Sequence, residues 1–398
     1  MSRSQVILKP RRALPFFARH PWVFAGAIHQ VSPAADPGAE VDLVTHDGKF
    51  VARGLYNPNS NIRVRLYSWN AEIPLDQAFW EEQIARAIRL RHQHLQLQAP
   101  QSACRLIFSE ADGLSGLIVD RYADWLLVQF TSLAVAQRQA EIVEILQRQL
   151  RPAGIWLRTE KGIRDAEGLA IVDGLLTGEP PPRPLWIEEH GLRYGIDVVE
   201  GQKTGYFLDQ RDNRLRAASF MTDRRVLDVC CYSGGFALNA VRHGQARSVH
   251  AVDVSESALA LAAANAEANG LASQIEFEKS DAFKALERLG AAGERFGAIV
   301  LDPPKLARHA RGLEEALRGY HSLNRLAVDV LESDGILITC SCTGHVSREQ
   351  FEQMLADVAK VTRRPIQILE ARQAAPDHPT SVSCPETDYL KCYICRVA

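Results

Sequence analysis

LDVCCYSGGFAL, Leu227 to Leu238, runs from apolar residues through a glycine pair and back to apolar residues. It reads as a strand, a glycine turn and a helix. Gly234 and Gly235 let the backbone approach a ligand closely and aim a helix N-terminus at it. The stretch is not a GxGxxG, and alone it is a weak signal. The downstream segments repeat the pattern. SVHAVD ends in Asp253, and a helix is predicted from Ser255 to Asn269, with Ser255 as N-cap and Gly270 just past its end. IEFEKSDAF, GAIVLDPP and GILITC read as further strands, with a helix predicted from about Gly312 to Leu331. Ser347 and Gln350 have capping-box spacing before the next helix, and PIQILE and YLKCYICRV close the sheet as a pair. Strands alternating with helices in this way predict an α/β fold, a doubly wound, mostly parallel, Rossmann-like sheet over residues 186–398. Ligands in such sheets sit beyond the carboxyl ends of the strands.

Upstream, the proline cluster GEPPPRP, Gly178 to Pro184, marks a linker. Residues 75–185 mix helical and strand-like runs and are expected to form a small α+β domain. Residues 1–74 alternate short β-type runs, with Asp47-Gly48 as a hairpin cue, and are expected to form a small β-barrel. That segment has nine lysines and arginines against five acids, in a chain of net charge −2. The excess suggests a local surface for a polyanion, or merely a solvated face. The N-terminal MSRSQVILKPRR lacks the apolar core of a secretory leader, and no apolar run is long enough to span a membrane. The expectation is a cytoplasmic protein whose eight cysteines form no structural disulfides. Cys384, Cys392 and Cys395 come nearest to metal spacing, but YLKCYICRV, which holds the last two, reads as a strand, and no metal is expected.

The strand tips carry the chemistry. Asp253 stands 19 residues beyond Gly234, where nucleotide-binding folds place an acid on the ribose hydroxyls. Asp281 could accept an adenine amino group. LDPPK places Asp302 before a rigid Pro303-Pro304 turn. Methyltransferases acting on amino groups use a similar turn with an aromatic fourth residue; here the fourth residue is Lys305, which leaves ring-carbon or ring-nitrogen chemistry. GILITCSCTG, Gly335 to Gly344, puts Cys340 and Cys342 at the mouth of a buried strand. Three readings are open: one of them is a nucleophile, the pair is a disulfide or metal site, or both are packing.

Taken together, these segments resemble the RlmI-type ribosomal RNA methyltransferases, which form 5-methylcytosine in large-subunit (23S) rRNA. The resemblance covers nearly the whole chain. RHPWVFAGAI, Arg19 to Ile28, is similar to the opening of that family's RNA-binding PUA domain. SEADGLSGLIVDRY, Ser109 to Tyr122, resembles its central domain. VVEGQKTGYFLDQRDNR, Val198 to Arg214, resembles its most specific signature, and DPPK and SCTG resemble its active-site segments. One departure is Cys230-Cys231, where relatives more often carry an aromatic residue.

The resemblance implies S-adenosylmethionine as cofactor. Asp228, Gly234 and Gly235 would line its methionine side, Asp253 the ribose and Asp281 the adenine. Gln202, Phe207, Gln210 and Arg211 would close over cofactor and target base. It implies RNA as partner, either 23S rRNA or a large-subunit precursor, with no membrane and a homodimer left open. Cys342, at the strand exit, would be the nucleophile and Asp302 the acid near ring nitrogen 3, with Cys340 packed in the core. Two other readings stand beside this one. A guanine ring-nitrogen (N7) methyltransferase would need no thiol, and a non-catalytic ribosome assembly factor would bind RNA without transferring a methyl group.

Overall fold

The computed structural model describes residues 3–159, 161–199, 205–307 and 312–398. Gln202 lies outside the described residues. The chain forms two compact units: Met1–Leu185 with Asp197–Gly205 and Pro376–Thr387, and Trp186–Ile196 with Tyr206–Ala375 and Asp388–Ala398.

The first unit opens with a six-stranded sheet around Val6, Leu8, Val41, Leu43 and Val64. Each of its four antiparallel ladders carries a register shift. Such bulges bend strands and let a small sheet coil around its core. The Asp47-Gly48 turn joins two antiparallel strands, as the sequence predicts, with Gly48 at φ +81°. A five-stranded sheet follows between residues 103 and 178, packed against a helix over Gln77–Arg89 capped by Asp76. Leu55 and Tyr67 of the first sheet belong to the core of the second, and the Tyr67 hydroxyl donates to the Ser115 carbonyl at 2.5 Å.

Part of the basic excess of residues 1–74 is spent internally. Arg53 pairs with Asp42 at 2.8 Å, buried Arg65 with Glu110 and Glu167, and Arg3 with Glu40. The exposed remainder includes Arg11, Arg12 and Arg19, which surround a short helix over Leu14–Phe17.

The second unit is built on a seven-stranded sheet: β1 (Arg225–Val229), β2 (Ser248–Asp253), β3 (Ile275–Lys279), β4 (Phe296–Leu301), β5 (Leu331–Ser341), β6 (Ile366–Arg372) and β7 (Lys391–Val397). Their order is β3-β2-β1-β4-β5-β7-β6. The first five are mutually parallel; β7 enters antiparallel between β5 and β6. The expected closing pair is present, but the last strand is inserted inside the sheet rather than added at its edge. Helices cover both faces, so the central strands are apolar along their length; all six residues of β4 are buried. The predicted caps are present. Ser255 accepts from Ala258 N–H, and Ser347 and Gln350 form a reciprocal box. Among the described residues no helix is long and apolar enough to cross a membrane.

Candidate active site

The glycine turn after β1 is strained and well fastened. Cys230 and Tyr232, neither a glycine, sit at φ +65° and +49°. Left-handed backbone at such residues costs about 1–2 kcal/mol each. Three contacts hold it: the amides of Cys230 and Cys231 both donate to the Val252 carbonyl, at 2.9 and 3.0 Å, and Tyr232 N–H donates to Asp253 Oδ2 at 2.9 Å. Gly234, at φ +81°, begins the helix over Gly235–Arg242; a Cβ there would meet Leu238 at 2.8 Å. A Cβ on Gly235 would strike the Arg214 side chain at 2.7 Å. Turn geometry therefore favours glycine at 234, and the buried Arg214 side chain favours it at 235.

Asp253 ends β2, as expected from sequence. Its Oδ1 accepts Ser255 N–H at 2.8 Å, so each oxygen already holds one backbone amide. A carboxylate oxygen has two lone pairs, which leaves capacity on both for further donors. Asp228, in β1, is 1% exposed. Its Oδ2 accepts Ala237 N–H at 3.0 Å, while Oδ1 is buried without a hydrogen-bond partner. Burial, and then the neighbouring Asp302 carboxylate, push this carboxyl up to about 8. Asp281 falls beyond the end of β3 rather than on it. It is the N-cap of the helix over Ala282–Ala291, accepting from the amides of Phe283 and Lys284, and it is exposed.

The signature segment packs on the same end of the sheet. Phe207 meets Tyr232 edge to face, with centroids 5.2 Å apart. Gln210 is buried, accepts from Asn213 at 2.7 Å, and its amide stands beside the Cys340 thiol. Arg211 is mostly buried and reaches Asp212 at 2.9 Å. Arg214 is not a ligand-facing cation. It forms a two-point pair with buried Glu189, 2.9 Å at each contact, and lies over the Tyr206 ring.

The tips of β4 and β5 meet. Cys342, the first residue past β5, is half-buried, and its Sγ lies 3.9 Å from the Pro303 carbonyl of the LDPPK turn. Asp302 precedes that proline. Cys340 is 0% exposed and sits opposite Cys392 of β7. Its contact with the Cys392 thiol, and then burial, push the Cys340 thiol well up. Burial and surrounding carboxylates raise the thiols of Cys230 and Cys231 as well.

Sequence reasoning missed the residues behind Cys342. Tyr320, from the helix over Leu313–Val330, pairs its hydroxyl with Thr343 Oγ1 at 2.8 Å. Lys391, the first residue of β7, donates to the carbonyls of Thr343 and Tyr389, both at 2.8 Å. The one signal for it was a lysine opening a strand whose next five residues, Cys392 to Arg396, carry one other charge.

A separate cluster in the first unit joins His20, Cys384 and Glu386. Trp22 N–H donates to His20 Nδ1 at 3.2 Å, so Nε2 carries the proton and faces Glu386 at 3.4 Å. A metal-bound imidazole has the reverse polarity, donating from its outer nitrogen. The cluster is therefore a hydrogen-bond network.

Residues 6–69 match the family model of a PUA-like domain, and residues 164–383 that of an S-adenosylmethionine-dependent methyltransferase. The chain is 39% identical over 394 residues to the ribosomal RNA large subunit methyltransferase I of Salmonella arizonae, covering 99% of this chain and 97% of that protein. It is equally similar to the protein of the same name from Escherichia coli O139:H28, at 99% of each. Among solved structures, SMU.776, assigned as a methyltransferase and crystallised with SAH, superposes with a TM-score of 0.86 at 20% identity, covering 99% of this chain and 100% of that one. That likeness shows the fold.

Proposed function

The chain belongs to the ribosomal RNA large subunit methyltransferase I family, and we propose that it methylates carbon 5 of a cytosine in 23S rRNA through a transient bond to Cys342. The observation that carries this reading is the meeting of the Cys342 thiol with the DPPK turn. The only other half-buried cysteine among the described residues, Cys230, has its thiol pushed up.

The residues at the β1 and β2 tips fit S-adenosylmethionine. The orphaned Asp228 Oδ1 suits a cationic group, and the spare lone pairs of Asp253 suit two ribose hydroxyls. Gly234, Gly235, Phe207, Gln210 and Arg211 would wall this site, with Asp281 at the adenine end. When bound, the cofactor supplies an electrophilic methyl group. Asp228 makes binding pH-dependent. Burial raises its carboxyl from the ordinary 3.8 to about 8, so the folded apoprotein holds a proton that the unfolded chain has lost. Apoprotein stability from this group therefore falls as pH rises from about 4 to about 8. A cationic ligand favours the carboxylate and expels that proton. Cofactor affinity, measured by calorimetry, should rise between about pH 6 and 7.5, by at most roughly tenfold per unit, and Asp228→Asn should flatten the profile. A wild-type affinity independent of pH would remove Asp228 from the site.

In the proposed reaction the Cys342 thiolate adds to carbon 6 of cytosine. A C–S bond forms and electron density moves toward carbon 5 and ring nitrogen 3, to which the Asp302 carboxyl would give a proton. Carbon 5 becomes nucleophilic enough to take the methyl group, which would leave the donor as a neutral thioether. A base then removes the carbon-5 proton, the C–S bond breaks and the thiolate leaves, while the Asp302 carboxylate takes back the nitrogen-3 proton as the carbon 4–nitrogen 3 double bond re-forms. LDPPK has no second cysteine to assist that departure.

We assign RNA capture to the surface of residues 1–74. Arg11 and Arg12 are exposed and have no ion-pair partner among the described residues; Leu14 and Phe17 beside them are 78% and 56% exposed. Cations next to exposed apolar side chains suit phosphate contacts with base stacking. Deleting the domain would strip Leu55 and Tyr67 from a shared core, so surface charge reversal is the cleaner probe. Reversing both, Arg11→Glu with Arg12→Glu, should weaken binding of an rRNA fragment about tenfold or more and reduce the salt slope by about two. Cofactor affinity should not change. Equal RNA affinity and equal slope would show that this surface plays no part.

The substrate is tested by nucleoside analysis of large-subunit RNA from a strain lacking the gene. One 5-methylcytidine should disappear and return with the wild-type gene. A missing 7-methylguanosine with 5-methylcytidine intact would transfer the reading to a guanine target.

A further inference from the structure

Lys391 is 1% exposed. An ammonium group so placed is costly unless paired. Yet among the described residues no carboxylate makes an ion pair with it. The carboxylate that acts on it from a distance, Asp388, is bonded to Arg348, at 3.0 and 3.2 Å. Lys391 instead spends two of its three N–H donors on the carbonyls of Thr343 and Tyr389. Thr343 follows Cys342 directly. Tyr389 is itself anchored, its hydroxyl donating to Asp209 of the LDQR signature at 2.5 Å. A positive charge held against the turn that carries a thiol, whose neighbouring carboxylate Asp388 is already bonded to Arg348, has the thiolate as a further counter-charge.

We propose that Lys391 is a positioning residue for Cys342: its ammonium fixes the Cys342–Gly344 turn through the Thr343 carbonyl and holds the thiol in its ionised, nucleophilic form. The inference rests on Cys342 being the nucleophile, but it makes a claim about the thiol that can be read without any methyl transfer. The charged and titratable groups around the pair are Asp388 and Arg348, which neutralise each other; Tyr320, whose hydroxyl contacts Thr343; and Asp302, one residue before the Pro303 carbonyl that Cys342 touches. Burial lowers the Lys391 ammonium to about 8, so its support for the thiolate is present at neutral pH and fades above that value.

The test uses the full-length protein, alkylated with iodoacetamide across a pH series and read by mass spectrometry at the peptide carrying Cys342. Lys391→Met removes charge and donors at similar length. Lys391→Gln keeps a donor for the Thr343 carbonyl without the charge. Lys391→Arg keeps both. For Met and Gln, alkylation at pH 7 should be about tenfold slower than wild type, with the midpoint shifted by about one unit to alkaline pH and the rates converging near pH 10. Arg should restore most of the rate. A midpoint unchanged in both Met and Gln, or a slowing by the same factor at every pH, would overturn the proposal, since a merely structural lysine alters access and not ionisation. If Met does not fold, Gln decides. The two claims fail separately. Methyl transfer by Cys342→Ala with a shifted Lys391→Gln midpoint would sink the covalent mechanism and spare the lysine. An inactive Cys342→Ala with an unshifted midpoint would do the reverse.

Discussion

Cys342→Ala should fold, bind S-adenosylmethionine and RNA, and transfer no measurable methyl group. Carbon 5 of cytosine is a poor nucleophile until a thiolate has added at carbon 6, so removing the sulfur removes the reaction path rather than slowing one step of it. A loss of at least about a thousandfold is expected in single-turnover transfer of labelled methyl to an rRNA fragment. The half-buried position just past β5 makes the substitution mild for stability. Cys340→Ala is the matched control. That side chain is fully buried against β7, so the variant should lose about 1 kcal/mol to a small cavity and keep most activity. Retained transfer by Cys342→Ala would end the covalent reading.

Asp253→Ala should weaken S-adenosylmethionine binding by one to several powers of ten. Charge-assisted hydrogen bonds to ribose hydroxyls are each worth about 1.5–3 kcal/mol. The same carboxylate also holds the amides of Tyr232 and Ser255. Its removal therefore loosens a turn that has Cys230 and Tyr232 in left-handed backbone. Asp253→Asn keeps an acceptor for one amide and should lose less. Calorimetric affinity equal to wild type in the alanine variant would exclude Asp253 from the cofactor site.

Local signals in the sequence carried the sheet and its tips. The LDVCCYSGG turn, the Ser255 and Ser347 caps and the position of Asp253 are each set by neighbours within a few residues, and each is found where the sequence predicts it. What escaped depends on partners far along the chain. Periodicity cannot show that β7 inserts between β5 and β6, because pairing order is a tertiary outcome. Lys391 reads as an ordinary strand residue until Thr343, 48 positions earlier, is seen to receive it. Asp281 looked like a strand tip, yet its side chain caps the next helix, since a short acid before a helix competes well for free amides. Counting charges in residues 1–74 overstated the free basic surface, because the partners of Arg65, Glu110 and Glu167, lie in later sequence. Pro376–Thr387 is a similar case. It lies between the last two strands of the second unit's sheet but packs in the first unit, where Asp377 accepts the Arg105 amide at 3.0 Å and its carbonyl receives buried Arg91 at 2.7 Å.

A covalent bond between Cys342 and the target cytosine would be trapped on RNA containing 5-fluorocytidine at the target position. After methyl transfer, fluorine occupies the place of the proton that must leave carbon 5, so the C–S bond cannot be released. Wild type and Cys340→Ala should each give a protein–RNA band that resists denaturant, with Cys342 identified as the attached residue by peptide mapping. Cys342→Ala should give none. A band that survives without Cys342, or one that disappears only without Cys340, would show that another residue forms the bond. Full methylation of unmodified RNA with no trapped band in any variant would contradict a covalent mechanism altogether.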